Sequence, residues 1–499
     1  MIVLPSSAEP TIALSSELTR EFLLHHLVCP LRVDEDGSLL VGLATEGCLD
    51  AVDEVGLAYG QPARAETMER AELERAIERL TANAEHSLRF GSGGDPDADE
   101  GNDDLGTDTR ELANQPPVIR YVNLLVRDAV EAGASDIHIE ALRAGVLSVR
   151  FRRDGILVPA SGAPPAFPQA VISRVKLLAE LDTAERRRPQ DGRIRVRLDS
   201  RDLDMRVSTV PTLHGESVVI RLLDQGGRPV ELGALGMNED TFRRMAALTD
   251  RPNGLLLVTG PTGSGKTTTL YSALTRRPAD REKIITVEDP VEYQLPGIAQ
   301  VPVHQRAGVT FGTILRSILR QDPDVIMVGE MRDAATAEVA IQAAMTGHLV
   351  FSTLHTNDAI GAIARLLDLG VPDYLVAATL DGVLAQRLVR RICESCRARY
   401  TAPAEQVALV SGKPSTERVL TQGVGCEACR GTGYRGRVGL FELLELDDEL
   451  KDAITRGARR GDLTALAVAK GMVTLRADGW EKVKSGVTTL EEIIRVTVE

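Results

Sequence analysis

The sequence predicts an α/β protein in which a parallel sheet carries a phosphate-binding loop. An apolar run at residues 255–258 reads as a buried strand, a glycine-rich stretch follows it, and residues 268–274 suit a helix. Beyond residue 250, predicted strands and helices alternate, as they do in a parallel sheet covered on both faces. Two C-x-x-C pairs predict a small metal-holding subdomain. A chain of 499 residues is too long for one core and predicts about three domains.

Composition and charge exclude several classes of protein. Hydrophobic residues make up 43% of the chain and charged residues 26%, as in ordinary soluble globular proteins. A net charge of −14 argues against coating nucleic acid or binding anionic lipid unaided, and 3% aromatic residues disfavour a base-stacking surface. The start lacks a signal-peptide pattern, and no apolar run approaches the ~20 residues that span a bilayer. We therefore expect a chain that is neither exported nor integral to a membrane and that reaches membranes only through partners.

The first part of the chain predicts a small domain followed by a linker. Residues 1–90 form the predicted N-terminal domain, in which Leu73, Ile77 and Leu80 share one face of a helix. Residues 91–112 contain eight acidic residues and one arginine. Such a segment buries too little apolar surface to order itself, so we expect a flexible tether.

Residues 113–230 predict a second domain containing an antiparallel hairpin. Arginine alternates with apolar residues from Arg193 to Leu198, a turn follows, and a second strand runs from Leu203 to Val207. Alternation places the arginines together on one side of a strand. Solvated or ion-paired arginine is the more common reason for such a row, and a nucleic-acid surface is the alternative.

The phosphate loop is the run GPTGSGKT at residues 260–267. Its glycines allow successive backbone N–H groups to turn towards phosphate oxygens, Lys266 supplies a positive charge to the β- and γ-phosphates, and Thr267 offers a hydroxyl to Mg²⁺. The alternative is a simple glycine-rich turn. The predicted nucleotide-binding residues are Gly260, Pro261, Thr262, Gly263, Ser264, Gly265, Lys266, Thr267 and Thr268.

Two further predicted strands end in carboxylates. Residues 324–328 form a buried run that leads to Glu330, and residues 285–287 lead to Glu288 and Asp289. A carboxylate at a strand end can reach Mg²⁺ or the attacking water. Glu330 stands where Asp is usual, so it contacts the metal through water or acts as the base. Capping of a neighbouring helix is the alternative for either pair.

A third segment, residues 347–357, contains two histidine candidates, His348 and His355. The strand delivers His355 to its exit end, where an imidazole can donate to the γ-phosphate and report its loss. The alternative is a histidine that is simply hydrogen-bonded within the structure.

The cysteines form the strongest signal that does not concern nucleotide. Two hooks, Cys393-x-x-Cys396 and Cys426-x-x-Cys429, predict a tetrahedral zinc site within an insert at residues 390–437. Four thiolates leave no coordination position for water, so the predicted role is structural. Redox dithiols or free thiols are the alternatives. Cys29 and Cys48 stand apart and are predicted to be packing residues.

Taken together, these motifs resemble a known family. The runs GPTGSGKTTT, TVEDPVEY, LRQDPDVIMVGEMRD and AAMTGHLVFSTLHTN, with the paired C-x-x-C, are similar to the bacterial secretion ATPases of the type II secretion and type IV pilus superfamily, and most similar to the GspE family. The resemblance covers roughly residues 113–499.

The resemblance implies a hexameric ring with ATP held between two domains of each subunit. It implies a PAS-like domain at 113–230 and a RecA-like ATPase domain at 231–499 that contains the zinc insert. Arg206 and Arg221 match positions from which family members send arginines onto the phosphates, and Arg316 and Arg320 are weaker candidates. ATP, Mg²⁺ and Zn²⁺ are the implied cofactors. Such arginines offset charge in phosphoryl transfer and act only when the domains close.

The function implied by the resemblance is a cytoplasmic motor, peripheral to the bacterial inner membrane, that powers pseudopilus assembly and protein export by a type II secretion system. The implied partners are other copies of the chain, a GspL-like bitopic platform protein bound by residues 1–90, and a polytopic platform protein. The alternatives are a type IV pilus extension motor, a conjugation or nucleic-acid motor, and a non-hydrolysing nucleotide-binding scaffold.

Overall fold

The computed structural model describes the chain outside residues 1–17, 19, 35–37, 45–49, 60, 86–88, 91–115, 144–145, 161–167, 199–200, 225–228, 305–307 and 498–499. The predicted tether at 91–112 and Cys48 therefore lie outside the described residues. The chain divides into two compact units, Met1–Asp224 and Gln225–Glu499. The finer division predicted at residues 90, 112 and 230 stays a prediction.

The first unit contains two sheets and their covering helices. Its helices are α1 (Arg20–His26), α2 (Asp50–Tyr59), α3 (Arg70–Glu85), α4 (Pro116–Glu131) and α5 (Pro168–Leu178). Its strands are β1 (Val28–Val33), β2 (Leu39–Ala44), β3 (Ala63–Met68), β4 (Arg89–Phe90), β5 (Ala134–Ala141), β6 (Leu147–Arg153), β7 (Ile156–Pro159), β8 (Gln190–Leu198), β9 (Arg201–Thr212) and β10 (Gly215–Asp224).

The smaller sheet has the order β1-β2-β3 and is covered by α1, α2 and α3. The predicted apolar face of α3 is confirmed, because Leu73, Ile77 and Leu80 are at most 2% exposed. Cys29 is also buried in this core, as predicted.

The larger sheet is antiparallel throughout, with the order β4-β8-β9-β10-β5-β6-β7. Helices α4 and α5 pack on one face, where Ile194 and Val196 are buried. The alternating arginines of β8 are exposed on the opposite face. The predicted hairpin of β8 and β9 is confirmed, and the sheet has one apolar and one polar face.

The second unit alternates strands and helices around the phosphate loop. Its strands are β11 (Gly254–Thr259), β12 (Ile284–Glu288), β13 (Ala299–Pro302), β14 (Val325–Val328), β15 (Leu349–Leu354), β16 (Leu380–Ile392), β17 (Arg397–Ala402), β18 (Arg418–Gly423) and β19 (Tyr434–Glu445). Its helices are α6 (Glu239–Thr249), α7 (Lys266–Leu274), α8 (Phe311–Ile318), α9 (Ala334–Met345), α10 (Ala359–Asp368), α11 (Asp373–Thr379), α12 (Ala404–Ser411), α13 (Asp448–Thr455), α14 (Arg460–Ala469), α15 (Leu475–Lys484) and α16 (Leu490–Thr497).

The main sheet of this unit has the order β13-β12-β14-β15-β11-β16-β19. Its pairs are parallel except the last, in which β19 runs antiparallel to β16. Successive residues of β11 enter two different cores: Leu255 and Leu257 pack with α8 to α11, whereas Leu256 and Val258 pack with α6 and α7. The sheet is therefore covered on both faces, as the uninterrupted apolar runs predict.

None of the helices in the part of the chain that the structure describes is long and apolar enough to cross a membrane. The carboxyl ends of β11, β12, β14 and β15 meet at one edge of the parallel sheet. In open α/β sheets ligands bind outside this edge, and it is here that the predicted site residues lie.

Candidate functional site

The phosphate loop follows β11 and is shaped by three glycines. Gly260, Gly263 and Gly265 have φ values of 152°, 78° and 87°, which side-chain-bearing residues rarely adopt. A Cβ atom at Gly260 would lie 2.5 Å from the carbonyl oxygen of Gln386, and one at Gly265 would lie 2.9 Å from Nε2 of Gln386. The neighbouring strand β16 therefore requires glycine at both positions, whereas a Cβ atom at Gly263 would meet open space.

Lys266 begins α7 and reaches back across the loop. Its Nζ donates hydrogen bonds to the carbonyl oxygens of Gly260 at 2.8 Å and Pro261 at 3.1 Å. Burial lowers the pKa of Lys266 to about 8, the charge of Glu330 opposes this shift, and the charge of Arg387 adds to it. A partly desolvated cation thus lies inside the loop, next to a carboxylate.

The other predicted loop residues surround this lysine. Pro261 and Thr262 are exposed, and Thr267 and Thr268 are half-buried at the start of α7. Ser264 is 3% exposed, and its hydroxyl has no hydrogen-bond partner among the described residues.

A cluster of threonine hydrogen bonds joins the ends of β11 and β15. Thr259 Oγ1 accepts a hydrogen bond from the backbone N–H of Thr356 at 3.0 Å and lies 2.6 Å from Thr356 Oγ1. His355 lies between Leu354, the last residue of β15, and Thr356. The hydrogen bonds of Thr356 therefore hold His355 beside the phosphate loop.

Glu330 lies at the centre of the site, two residues after β14. Its Oε1 is 2.5 Å from Nη2 of Arg332, and its Oε2 is 3.4 Å from Nε2 of His355. The side chain of Glu330 is 14% exposed and that of His355 is 51% exposed. The structure therefore brings together Lys266, Glu330 and His355, as the strand-end pattern predicts.

The two acids after β12 face different surroundings. Glu288 is 3% exposed and accepts hydrogen bonds from the hydroxyls of Tyr271 and Thr286 and from the amide of Gln300. Asp289 is exposed, and its charge helps to raise the pKa of Arg332, after the larger effect of the hydrogen bond with Glu330. Glu288 is thus held inside the fold, whereas Asp289 lies on the side of Arg332 and Glu330.

The second histidine candidate lies elsewhere. His348 precedes β15, and its carbonyl accepts a hydrogen bond from Gly254 N at the start of β11. Its Nδ1 lies 2.9 Å from Ala343 O. Since the six residues of β11 extend roughly 20 Å at about 3.3 Å per residue, the structure does not bring His348 to the loop at the other end of that strand.

Strand β16 contributes two residues that the motif search missed. Thr269 Oγ1 donates to Gln386 Oε1 at 2.6 Å, which ties α7 to this strand. Arg387 is 8% exposed and donates to the backbone and side-chain oxygens of Asn357. In the sequence, Gln386 and Arg387 are recognisable as a polar pair within the apolar run of β16. That pattern does not indicate that the strand lies next to the phosphate loop.

Comparison with known proteins adds to this geometry. Residues 111–495 match the family model described as "Type II/IV secretion system protein". The chain belongs to this family. It is 47% identical to the type II secretion system protein E of Xanthomonas campestris pv. campestris, over 96% of this chain and 84% of that protein. It is 41% identical to the type IV pilus assembly ATPase PilB of Myxococcus xanthus, over 95% of this chain and 85% of that protein.

A solved structure supports the same placement. The crystal structure of the pilus retraction motor PilT with bound ADP is 28% identical, with a TM-score of 0.53 over 75% of this chain and 96% of that one. The predicted family and the predicted fold class are confirmed.

In this secretion-system protein the candidate arginines lie in both units. Arg206 and Arg221 are direct cross-strand neighbours in the β9–β10 pair of the first unit. Nε of Arg221 lies 3.0 Å from Oδ1 of Asp136. In the second unit, Arg316 is exposed on α8, and Arg320 is exposed in the turn that follows this helix.

The four predicted cysteine ligands of this family member are clustered. Their Sγ atoms all lie within 4.8 Å of one another. The thiols are free, and their non-covalent separations are 3.9 Å for Cys393 and Cys426, 3.8 Å for Cys396 and Cys429, and 3.7 Å for Cys426 and Cys429. Sulfurs at about 2.3 Å from a tetrahedral zinc ion are about 3.8 Å apart. The cluster therefore has the dimensions of a four-thiolate metal site.

Backbone N–H groups also point at these sulfurs. Although burial opposes ionisation of Cys429, hydrogen bonds from the N–H groups of Cys426 and Gly433 outweigh it and lower the pKa of this thiol to about 6. Gly425 N donates to Cys396 Sγ at 3.3 Å. A set of soft sulfur donors with N–H support can hold a metal ion and closes its coordination shell.

Proposed function

We propose that this protein is an ATP-hydrolysing motor that powers pseudopilus assembly and protein export by a type II secretion system. The observation that carries the proposal is the convergence of Lys266, Glu330 and His355 at the carboxyl edge of the parallel sheet, beside a glycine-shaped loop. The names and similarity of the relatives support the secretion role.

The loop binds the triphosphate. Backbone N–H groups of the loop after Pro261 donate hydrogen bonds to the phosphate oxygens, and Lys266 exchanges its two carbonyl partners for the β- and γ-phosphates. The hydroxyl of Thr267 and the carboxylate of Glu330 are hard oxygen donors of the type that Mg²⁺ prefers. When bound, Mg²⁺ neutralises charge that develops on the phosphates.

Glu330 orients the attacking water or accepts its proton. The guanidinium of Arg332 holds one carboxylate oxygen, and the other faces His355. His355 reports the presence of the γ-phosphate through its half-exposed imidazole. Asp289 adds negative charge beside Arg332, whereas Glu288 anchors β12 to α7 through Tyr271.

Arg206 and Arg221 bring positive charge to the phosphates from the first unit, and Arg316 and Arg320 are secondary candidates. Such arginines stabilise transition-state charge and make hydrolysis depend on the relative position of the two units. In a homohexameric ring that dependence turns ATP consumption into movement. The four cysteines hold a structural Zn²⁺ that stabilises the lobe at residues 390–437.

We further propose that the motor works in the cytoplasm at the inner membrane, which it reaches only through partners. Residues 1–90 bind the cytoplasmic part of a GspL-like bitopic protein, and the ring acts on a polytopic platform protein. The identity to the Xanthomonas relative, 47% against 41% for PilB at nearly equal coverage, supports secretion over pilus extension. The similarity to PilB makes the pilus extension motor the second candidate.

Two substitutions test the ATPase. Lys266→Ala should abolish ATP binding, and Glu330→Gln should retain ATP binding with turnover reduced by at least about 100-fold, since a general base contributes about 10²–10⁴-fold. Glu338→Gln on the exposed side of α9 is the matched control and should leave both unchanged. Phosphate release and equilibrium nucleotide binding measure the two effects. Normal turnover in Glu330→Gln would remove this residue from the mechanism.

A binding experiment separates the two candidate systems. The full chain should bind a purified cytoplasmic domain of a GspL-like protein and not the corresponding pilus protein. Binding to the pilus component alone would favour the second candidate.

A further inference from the structure

A row of charged residues crosses the polar face of the seven-stranded sheet in the first unit. The strand register places Arg193 opposite Arg206, Arg206 opposite Arg221, Arg221 opposite Asp136, and Asp136 opposite Arg152. Residues directly opposite on neighbouring strands project from the same face. The row therefore contains one carboxylate and four guanidinium groups, and a second carboxylate, Asp204, contacts Arg193 from beside the row.

Asp136 is buried and fixed, whereas Arg221 reaches outward. The side chain of Asp136 is 7% exposed and that of Arg221 is 53% exposed. Oδ1 of Asp136 accepts the hydrogen bond from Nε of Arg221 at 3.0 Å, and Oδ2 accepts one from the hydroxyl of Ser135 at 2.8 Å. Nε of Arg152 lies 3.9 Å from the same Oδ2. The carboxylate is thus held from several sides.

The contact with Asp136 uses Nε of Arg221 and does not use the two outer Nη groups. Among the described residues, the hydrogen bond of this side chain is the one from Nε, so the Nη groups can form a fork towards a phosphate. Arg193, two positions further along the row at β8, differs in this respect. Arg193 contacts Asp204 through Nη2 at 2.7 Å, so its outer end is already used.

Asp136 also offsets repulsion within the row. Neighbouring strands lie about 4.8 Å apart, so adjacent guanidinium groups at this spacing repel one another. Without the carboxylate, Arg221 would turn away from Arg206 and Arg152 into solvent, where it has many rotamers.

We propose that Asp136 is a positioning residue that orients the Arg221 guanidinium for its contact with the triphosphate. The inference rests on the proposed function, because it assigns to Asp136 an effect on ATP hydrolysis that passes through Arg221. Its physical basis is preorganisation: an arginine held in place loses less conformational entropy when it engages the transition state.

The test is a double-mutant cycle on ATP hydrolysis by the full chain. Asp136→Ala should lower kcat by about tenfold to thirtyfold, the equivalent of the rotamer freedom regained by one arginine, with little change in KM for ATP. Arg221→Ala should lower kcat further. Adding Asp136→Ala to Arg221→Ala should have no additional effect, since the pair acts as a unit.

Two companion variants separate positioning from folding. Asp136→Asn keeps an oxygen that can accept from Nε and should recover part of the rate lost in Asp136→Ala, even if the alanine variant unfolds more readily. Glu140→Ala removes an ion pair with Arg150 that joins β5, the strand of Asp136, to β6, and it should leave kcat unchanged.

The outcomes are distinguishable. Wild-type turnover in Arg221→Ala would refute the role of this arginine in the proposed function and, with it, the inference. Slow turnover in Arg221→Ala together with normal turnover in Asp136→Ala and Asp136→Asn would overturn the inference alone. A loss in the double variant that equals the product of the single losses would likewise show that Asp136 acts elsewhere.

Discussion

Tyr271→Phe removes one hydroxyl from the first helix after the phosphate loop and should destabilise the second unit. Tyr271 is fully buried, and its hydroxyl donates to Oε2 of Glu288, a carboxylate that is 3% exposed. Burial raises the pKa of Tyr271, and the charge and hydrogen bond of Glu288 raise it further, so the phenol keeps its proton as a donor. The other carboxylate oxygen accepts from Thr286 and Gln300 instead.

The magnitude follows from what the substitution leaves behind. Phenylalanine retains the ring, which packs edge-on against Tyr293 with centroids 4.7 Å apart, so no cavity opens. The main loss is the hydrogen bond to a buried charged oxygen, which contributes about 2 kcal/mol. The hydroxyl also accepts two longer hydrogen bonds, from Glu292 N at 3.4 Å and Gln300 Nε2 at 3.3 Å, which are lost with it. At roughly 2–4 °C per kcal/mol for a large domain, the melting temperature should fall by about 4–8 °C.

Trp480 provides the assay. The chain contains a single tryptophan, and it lies on α15, so its fluorescence reports unfolding of the second unit during a urea titration. Thr286→Val should cost less than Tyr271→Phe, because Oε1 retains the Gln300 donor. Tyr293→Phe is the matched control, because its hydroxyl makes no hydrogen bond within the described part of the chain. A Tyr271→Phe protein as stable as Tyr293→Phe would refute this reasoning.

Two further predictions concern the metal lobe and the loop lysine. Cys396→Ser should reduce bound zinc from about one ion per chain to none by elemental analysis and lower the urea midpoint, whereas Cys29→Ser, outside the cluster, should retain zinc. A zinc-free wild type of full stability would instead indicate free thiols. Burial lowers the pKa of Lys266 to about 8, and a bound triphosphate favours the charged form of this lysine. The affinity for a non-hydrolysable ATP analogue should therefore be greatest below about pH 8 and should weaken by up to about tenfold per pH unit above it. The always-charged Lys266→Arg variant should lack that weakening, and the same slope in both proteins would exclude this lysine as its source.

Sequence reasoning located the site but did not resolve the roles within it. The phosphate loop, the strand-end acids and the paired cysteines are readable because each chemistry needs particular residues close together in the chain. Glu288 and Glu330 both follow buried strands, so the pattern treats them alike. The structure separates them, because Tyr271 and Gln300 hold Glu288 inside the fold while Glu330 faces His355.

The same limit applies to residues that are distant in sequence. His348 and His355 flank one strand, and a parallel strand separates its two ends by its full length, so only His355 reaches the loop. Gln386 and Asp136 belong to no motif, because their partners, Thr269 on α7 and Arg221 on β10, are distant from them in the sequence.

The amino-acid sequence by itself therefore determined the family, the α/β class, the nucleotide loop and the four-cysteine cluster, since local spacing and strand periodicity encode them. Only the tertiary structure decided which acid is buried, which histidine meets Glu330 and which carboxylate holds Arg221. Those choices depend on sheet order and strand register, which bring together residues that are distant in the chain, such as Thr269 and Gln386, which are 117 positions apart.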